Sequence, residues 1–385
     1  MTSPPTRDRL ARITLEFAIT RLLLVAAGVL AFVFIPSIVG PEYHHVSTNI
    51  LIDMWSRWDS AFYVDIALNG YGTQAGAAEA SSAFFPVLPA LIRSLLQIIP
   101  GAGHAEGVVA GLVISNAGLL AATIVLDALV RMDFEAVVAR NVRWLIWLSP
   151  SSIFFSGVYT EALFLLFSVL AVYSARRQRW LIAGLAGFIA GLTRPVGLAV
   201  AIPLLFIARQ QSVANAGTAG YWTETLRRLS AAAAPVLGAM FYIGGTGLAA
   251  GDPFAYFTMN QSIWNRDVRL PWQALTDYLS GPPTLFGWDH SLVNLAFLLG
   301  FAALALGVFR FSKGEGWYSL TLLAVPLFSG NLISMPRYSA VAYPVYIALA
   351  RWLGADRKRV LVVMSASFLL SIVFTARFVT WRWVA

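Results

Sequence analysis

Long apolar runs separated by short basic loops dominate the chain. Runs at residues 14–39, 106–130, 143–159, 160–176, 180–194, 196–209, 229–250, 291–310, 316–332, 338–352 and 359–379 approach the ~20 residues that an α-helix needs to cross a bilayer core. The pattern predicts an all-α integral membrane protein, a polytopic bundle of about eleven transmembrane helices. The two runs on either side of Arg194-Pro195 are short and predict broken helices. The stretch Phe84 to Pro100 is also short, contains Pro86 and Pro89 and carries Arg93. It predicts a re-entrant or interfacial helix rather than a crossing.

The basic residues give the bundle a direction. Arg7, Arg9, Arg12 and Arg21 precede or open the first run. Later loops carry Arg131, Arg140 and Arg143, then Arg176, Arg177 and Arg179, then Arg209, Arg227 and Arg228. Two more carry Arg310 with Lys313, and Arg351 with Arg357, Lys358 and Arg359. Cytoplasmic loops are enriched in Lys and Arg. All of these loops fall on one side only if Phe84 to Pro100 does not cross. The N-terminus is then cytoplasmic, and residues 40–105 and 251–290 form two long outer loops. No repeat or soluble domain interrupts residues 1–385, which read as one membrane domain.

Composition agrees with lipid as the solvent. Hydrophobic residues make up 58% and charged residues 12%, with a mean hydropathy of +0.70; soluble domains carry about 25% charged residues. The net charge of +8 sits in loop caps, so it is no signal for nucleic acid. With no cysteine, disulfide and thiolate chemistry are excluded. Arginine far outnumbers lysine, which fits a GC-rich bacterial genome and hence the plasma membrane; in a eukaryote the same reading gives the ER membrane. The segment Thr14 to Val39 lacks a small-residue cleavage site and reads as a signal anchor.

The polar clusters that a membrane bundle does not need all fall on the expected outer side. Asp59, between Trp58 and an amphipathic stretch, is the sharpest. A carboxylate beside aromatics at an interface is partly desolvated and suits a general base; the same position before an apolar periodic run also suits a helix N-cap. Glu161 lies inside an apolar run, where a carboxylate costs about 2.5–3.5 kcal/mol and needs a cavity or a partner; Arg194 is the natural partner. Arg194 and Arg337 sit beside prolines at outer helix ends, placed either to clamp a phosphate or to snorkel. Trp264 could stack on a sugar or anchor at the interface. His44, His45 and Glu42 are a weak metal pattern, and no D-x-D, Walker loop or G-x-G-x-x-G supports a nucleotide.

Taken together, these clusters resemble the PIG-V mannosyltransferases, the family of GPI mannosyltransferase 2. The resemblance rests on Trp58-Asp59-Ser60 through Asn69-Gly70-Tyr71, Glu79 with Ala83-Phe84-Phe85-Pro86, and Ser149-Pro150 through Tyr159-Thr160-Glu161. It continues in Thr193-Arg194-Pro195, Gln261-Ser262 with Trp264, and Pro336-Arg337-Tyr338. Eukaryotic members more often read RSNG near Arg194. The resemblance implies a GT-C-type bundle and an inverting transfer of a sugar, mannose in that family, from a polyprenyl- or dolichyl-phosphate donor. The acceptor would be a glycolipid or glycan hydroxyl at the extracytoplasmic face; the eukaryotic family acceptor is a GPI precursor. Asp59 falls on the family's acidic residue in the first outer loop, which the resemblance implies is the catalytic base. Arg57, Trp58, Glu79, Glu161, Arg194, Gln261, Trp264, Arg337 and Tyr338 are expected to contact donor or acceptor. No metal or other cofactor is expected. The rival class is a lipid or sugar transporter or flippase, with Glu161 and Asp127 as intramembrane charges; such folds show inverted repeats, and none is visible here.

Overall fold

The computed structural model describes residues 6–39, 45–72, 81–264 and 266–384. Helix α1 spans Arg7–Phe34, with Thr6 as its N-cap and Asp8 in the first turn, where an acid favours the helix dipole. Its 28 residues extend for about 42 Å, more than a bilayer core requires. One face buries Phe17, Leu24 and Ala31, while Leu15, Leu22 and Leu30 are exposed. The connection to the bundle carries α2 (Ile50–Asp53), α3 (Asp59–Asn69) and α4 (Val87–Leu96). At 10 residues, α4 is about 15 Å long, too short to cross. It packs on α3 and on α5 (His104–Val130).

The next elements are α6 (Ala136–Trp147), α7 (Ser152–Ser156), α8 (Glu161–Arg176) and α9 (Trp180–Thr193). A short 3-10 turn at Pro195–Val200 leads into α10 (Ala201–Ala214), followed by α11 (Tyr221–Ala250). Helices α9 and α11 approach closely through small residues, as membrane helices do: a Cβ on Gly191 would overlap the Pro235 carbonyl, and one on Gly238 the Phe188 carbonyl. The chain continues through α12 (Ala255–Trp264), α13 (Pro271–Ser280), α14 (Leu292–Val308) and α15 (Lys313–Phe328). It ends with α16 (Met335–Ala340), α17 (Tyr343–Leu353) and α18 (Arg357–Val379), the last packed along α1.

Among the described residues, five helical segments are long and apolar enough to cross a membrane: Arg7–Phe34, His104–Val130, Pro195–Ala214, Tyr221–Ala250 and Arg357–Val379. Leu237, Phe241 and Leu248 on α11, and Leu361, Val362 and Leu369 on α18, are exposed. Water would penalise these side chains and lipid does not. The protein is a multi-pass, all-helical membrane protein.

Several expected crossings are not single helices. The run 143–159 breaks after Trp147 and resumes as α7. The run 338–352 divides between α16 and α17. Such breaks free backbone groups that lipid cannot satisfy, so protein must. Arg21 does this at the first break, donating to the Trp147 carbonyl at 2.6 Å and to Ser152 and Ser156 Oγ at 3.0 and 2.7 Å. It was expected to mark the basic end of the first crossing; instead it lies within α1 and braces the interior.

Candidate functional site

The breaks converge on one end of the bundle, the end reached by the C-terminus of α1. Trp58, at φ 54°, turns the chain so that Asp59 becomes the first residue of α3. Glu161 is the first residue of α8. Arg194 is the junction between α9 and the 3-10 turn. Arg337 lies in the six-residue α16, entered through Ser334 at φ 69° and Pro336. Each charged side chain thus sits at a helix terminus, where the backbone changes direction and leaves room. Carboxylates in the first turn of a helix are also favoured by its dipole.

Those four residues form a chain of ion pairs. Arg194 Nη1 stands 2.5 Å from Glu161 Oε1, Arg337 Nε donates to the same oxygen at 2.7 Å, and Arg337 Nη1 donates to Asp59 Oδ2 at 2.6 Å. Glu161 is wholly buried, whereas the Asp59 side chain is 25% exposed. Glu161 therefore anchors two arginines from behind and Asp59 is the accessible end. Glu161 Oε2 is buried without a hydrogen-bond partner. The side chain of Asp59 makes no cap bond to the start of α3, whose N-cap residue is Trp58; the N-cap expectation fails because Arg337 takes the carboxylate.

The chain of charges borders a cavity of about 840 Å³. Of the residues expected at the site, Trp58, Asp59, Arg194, Gln261, Trp264, Arg337 and Tyr338 line it. Arg194 lies over the Tyr338 ring at 5.6 Å, and Arg337 over the Tyr159 ring at 4.7 Å. Trp264 packs edge-on to Phe62 and Phe84, each at 5.9 Å. Two expected residues lie behind the wall. Glu161 is one. Arg57 is the other: it is 1% exposed, and its guanidinium is consumed by Asp53 Oδ2 at 2.9 Å and by the carbonyls of Asp53, Ser56 and Val379. It ties the connection after α1 to the end of α18. Glu79, His44 and Glu42 lie outside the described residues, and the ring of His45 pairs with Asp53 at 3.3 Å.

Several cavity residues were not singled out from sequence, Trp288 among them. Arg266 lines the cavity and donates to Ser329 Oγ at 3.0 Å. Among the described residues no carboxylate lies within ion-pair distance of it, so it is the arginine there whose charge is not already taken. Its place in the polar cluster after Gln261 was the available signal. Tyr63 also lines the cavity; burial first, and the carboxylates of Asp59 and Glu161 next, push its phenol well above the usual range, so it remains a neutral hydroxyl. Trp381 and Trp383, beyond α18, complete the wall. Chemically, the cavity offers the Asp59 carboxylate paired to Arg337, two further carboxylates on its wall, Asp65 and Asp267, three arginines from separate elements, and aromatic surface between them.

A family model described as Mannosyltransferase (PIG-V) matches residues 29–223, half of the chain. No curated protein sequence matches the chain. Among solved structures, the chain is similar to the archaeal oligosaccharyltransferase AglB from Archaeoglobus fulgidus in complex with an inhibitory peptide and a dolichol-phosphate. That match has 15% identity over 95% of this chain and 55% of that one, with a TM-score of 0.47. It is also similar to ArnT from Cupriavidus metallidurans bound to undecaprenyl phosphate, with 14% identity over 90% and 62% of the two chains and a TM-score of 0.48. The chain spans little more than half the length of these structures.

Proposed function

The chain belongs to the PIG-V mannosyltransferase family, and from that premise we propose that it is a GT-C-type glycosyltransferase. It moves mannose from a polyprenyl-phosphate donor to a hydroxyl of a glycolipid or glycan, with inversion at the anomeric carbon. The observation that carries this reading is the ion-pair chain Arg194–Glu161–Arg337–Asp59, which ends in an accessible carboxylate on the wall of a large cavity.

The acceptor oxygen attacks the anomeric carbon from the face opposite the phosphate. The bond from that carbon to the phosphate oxygen breaks, and polyprenyl phosphate leaves. The acceptor proton passes to the Asp59 carboxylate. Arg337 holds that carboxylate in place and, as the carboxylate is neutralised, turns its charge toward the leaving phosphate. Arg194, held by Glu161, and Arg266, which has no carboxylate partner among the described residues, add fork-shaped donors suited to phosphate oxygens. Electrostatic stabilisation of this kind supplies most of the rate. No step requires a divalent metal.

The site end faces away from the cytoplasm in this reading, because the basic loops cluster at the other end. The absence of cysteine makes labelling of introduced cysteines clean: a cysteine at Gly103 reacts with an impermeant maleimide from outside, and reaction from the cytoplasm alone overturns the orientation. The function is tested with the purified chain in liposomes and polyprenyl-phosphate [³H]mannose. Transfer of label to a membrane glycolipid acceptor is expected. Movement of the intact donor across the bilayer with no transfer would support the transporter instead.

A further inference from the structure

Beside its arginines, the cavity has a second chemical character. Trp58, Trp288, Trp381 and Trp383 come from three separate stretches of chain and meet on its wall. Trp58 stands 5.5 Å from Trp381 and 5.2 Å from Trp383, centroid to centroid, and Trp288 stands 4.1 Å from Trp383. Two of the four are held in the left-handed region, Trp58 at φ 54° and Trp381 at φ 61°. For so large a side chain that is an outlier. Strain of this kind persists where the surroundings over-determine it, and it gathers at ligand sites.

Packing alone accounts for the ring faces but not for their nitrogens. The indole Nε1 of Trp58 and of Trp383 are both buried without a hydrogen-bond partner. A tryptophan that serves only as an interfacial anchor keeps its N–H in the wet headgroup layer. Asp59 belongs to the same wall: it shares with Trp58 and Trp383 a small void of about 10 Å³, room for about one water. A hexopyranose supplies what the wall lacks, hydroxyl oxygens that accept from the indoles, and its apolar C–H face suits the aromatic surface around them.

We propose that this tryptophan wall is the acceptor subsite and holds a hexopyranose residue of the acceptor, its attacking hydroxyl turned toward Asp59. The inference rests on the transferase reading above: an in-line displacement with the phosphate on the arginines brings the acceptor in from the other side. Trp288, Trp381 and Trp383 fall outside residues 29–223, so acceptor choice is set largely by the half of the chain that the family model does not cover.

The test measures binding by the full chain in nanodiscs. A non-transferable phosphonate analogue of polyprenyl-phosphate mannose first fills the donor site. Methyl α-mannopyranoside is then titrated by saturation-transfer NMR. Wild type is expected to bind the glycoside with the donor analogue in place. Trp383→Ala is expected to weaken glycoside binding by roughly three- to tenfold, with affinity for the donor analogue unchanged and Trp383→Phe keeping most of it. Equal glycoside binding by wild type and Trp383→Ala, displacement of the glycoside by the donor analogue, or a parallel loss of both ligands in the variant would each overturn the subsite. Failure of the wild-type chain to bind the donor analogue would instead sink the transferase reading.

Discussion

The bundle holds a buried charge cluster at each of two ends, built from the same residue types. Near the N-terminus of α1, Asp127 receives Arg131 at 2.8 Å, lies 3.6 Å from Arg9 and pairs with Arg143, which also donates to Glu16 at 3.0 Å. Both oxygens of Asp127 are used, and none of these residues lines the cavity. At the other end, Glu161 uses one oxygen for two arginines, leaves the other unpartnered, and the chain of pairs opens onto the cavity through Asp59. The first cluster satisfies its charges by pairing them with each other. The second leaves charge available to a ligand. Burial of charge within a membrane protein therefore does not by itself mark function; an open end does. The arrangement also removes one support for a transporter, since Asp127 is a closed structural pair rather than a site on a path.

Breaking the two clusters separates them. Glu161→Gln keeps the shape but frees Arg194 and Arg337 from their shared anchor. Turnover is expected to fall by about 10²–10³, the usual worth of a preorganised electrostatic contact, and single-turnover kinetics on the reconstituted protein would register it. Asp127→Asn leaves three arginines beside one carboxylate. Removing one partner of a buried pair costs about 3–5 kcal/mol, so thermal denaturation in detergent should shift downward while turnover per folded molecule stays at the wild-type value. A turnover loss in Asp127→Asn as large as that of Glu161→Gln would erase the distinction. Arg266→Gln removes the cavity guanidinium that has no carboxylate partner among the described residues. The donor KM should rise by roughly 10- to 100-fold, as the ~1.5–3 kcal/mol of a charged hydrogen bond implies, with little change in stability because no carboxylate among the described residues loses its partner. An unchanged donor KM would move the phosphate to the arginines held by Glu161.

Much of the open site was legible in the sequence because membrane burial makes charge conspicuous. Asp59, Arg194 and Arg337 stand where an apolar bundle has no use for them, and prolines beside the arginines marked the breaks. The pairing of Glu161 with Arg194 followed from the cost of an intramembrane carboxylate; that Arg337 shares it did not, because the partner lies 176 positions away in sequence. Arg57 looked like its neighbour Asp59, yet it is consumed by backbone carbonyls, a fate that depends on where α18 ends. The long helices were readable from hydropathy alone. The break inside 143–159 was not: that run has the same composition whether or not it bends after Trp147, and the bend is stabilised by Arg21 from a distant part of the chain. Trp383 was not singled out, because a residue list does not reveal whether an indole nitrogen finds a partner.

The open end of the second cluster is Asp59, and its role is the central claim. The most direct measurement compares Asp59→Asn with wild type for two quantities: single-turnover mannose transfer from polyprenyl-phosphate mannose, and equilibrium binding of that donor. Asparagine keeps the shape and removes the proton acceptor. Transfer is expected to fall by roughly 10²–10⁴ with the protein folded and donor still bound. Transfer at the wild-type rate by Asp59→Asn would contradict it and place the base elsewhere on the cavity wall.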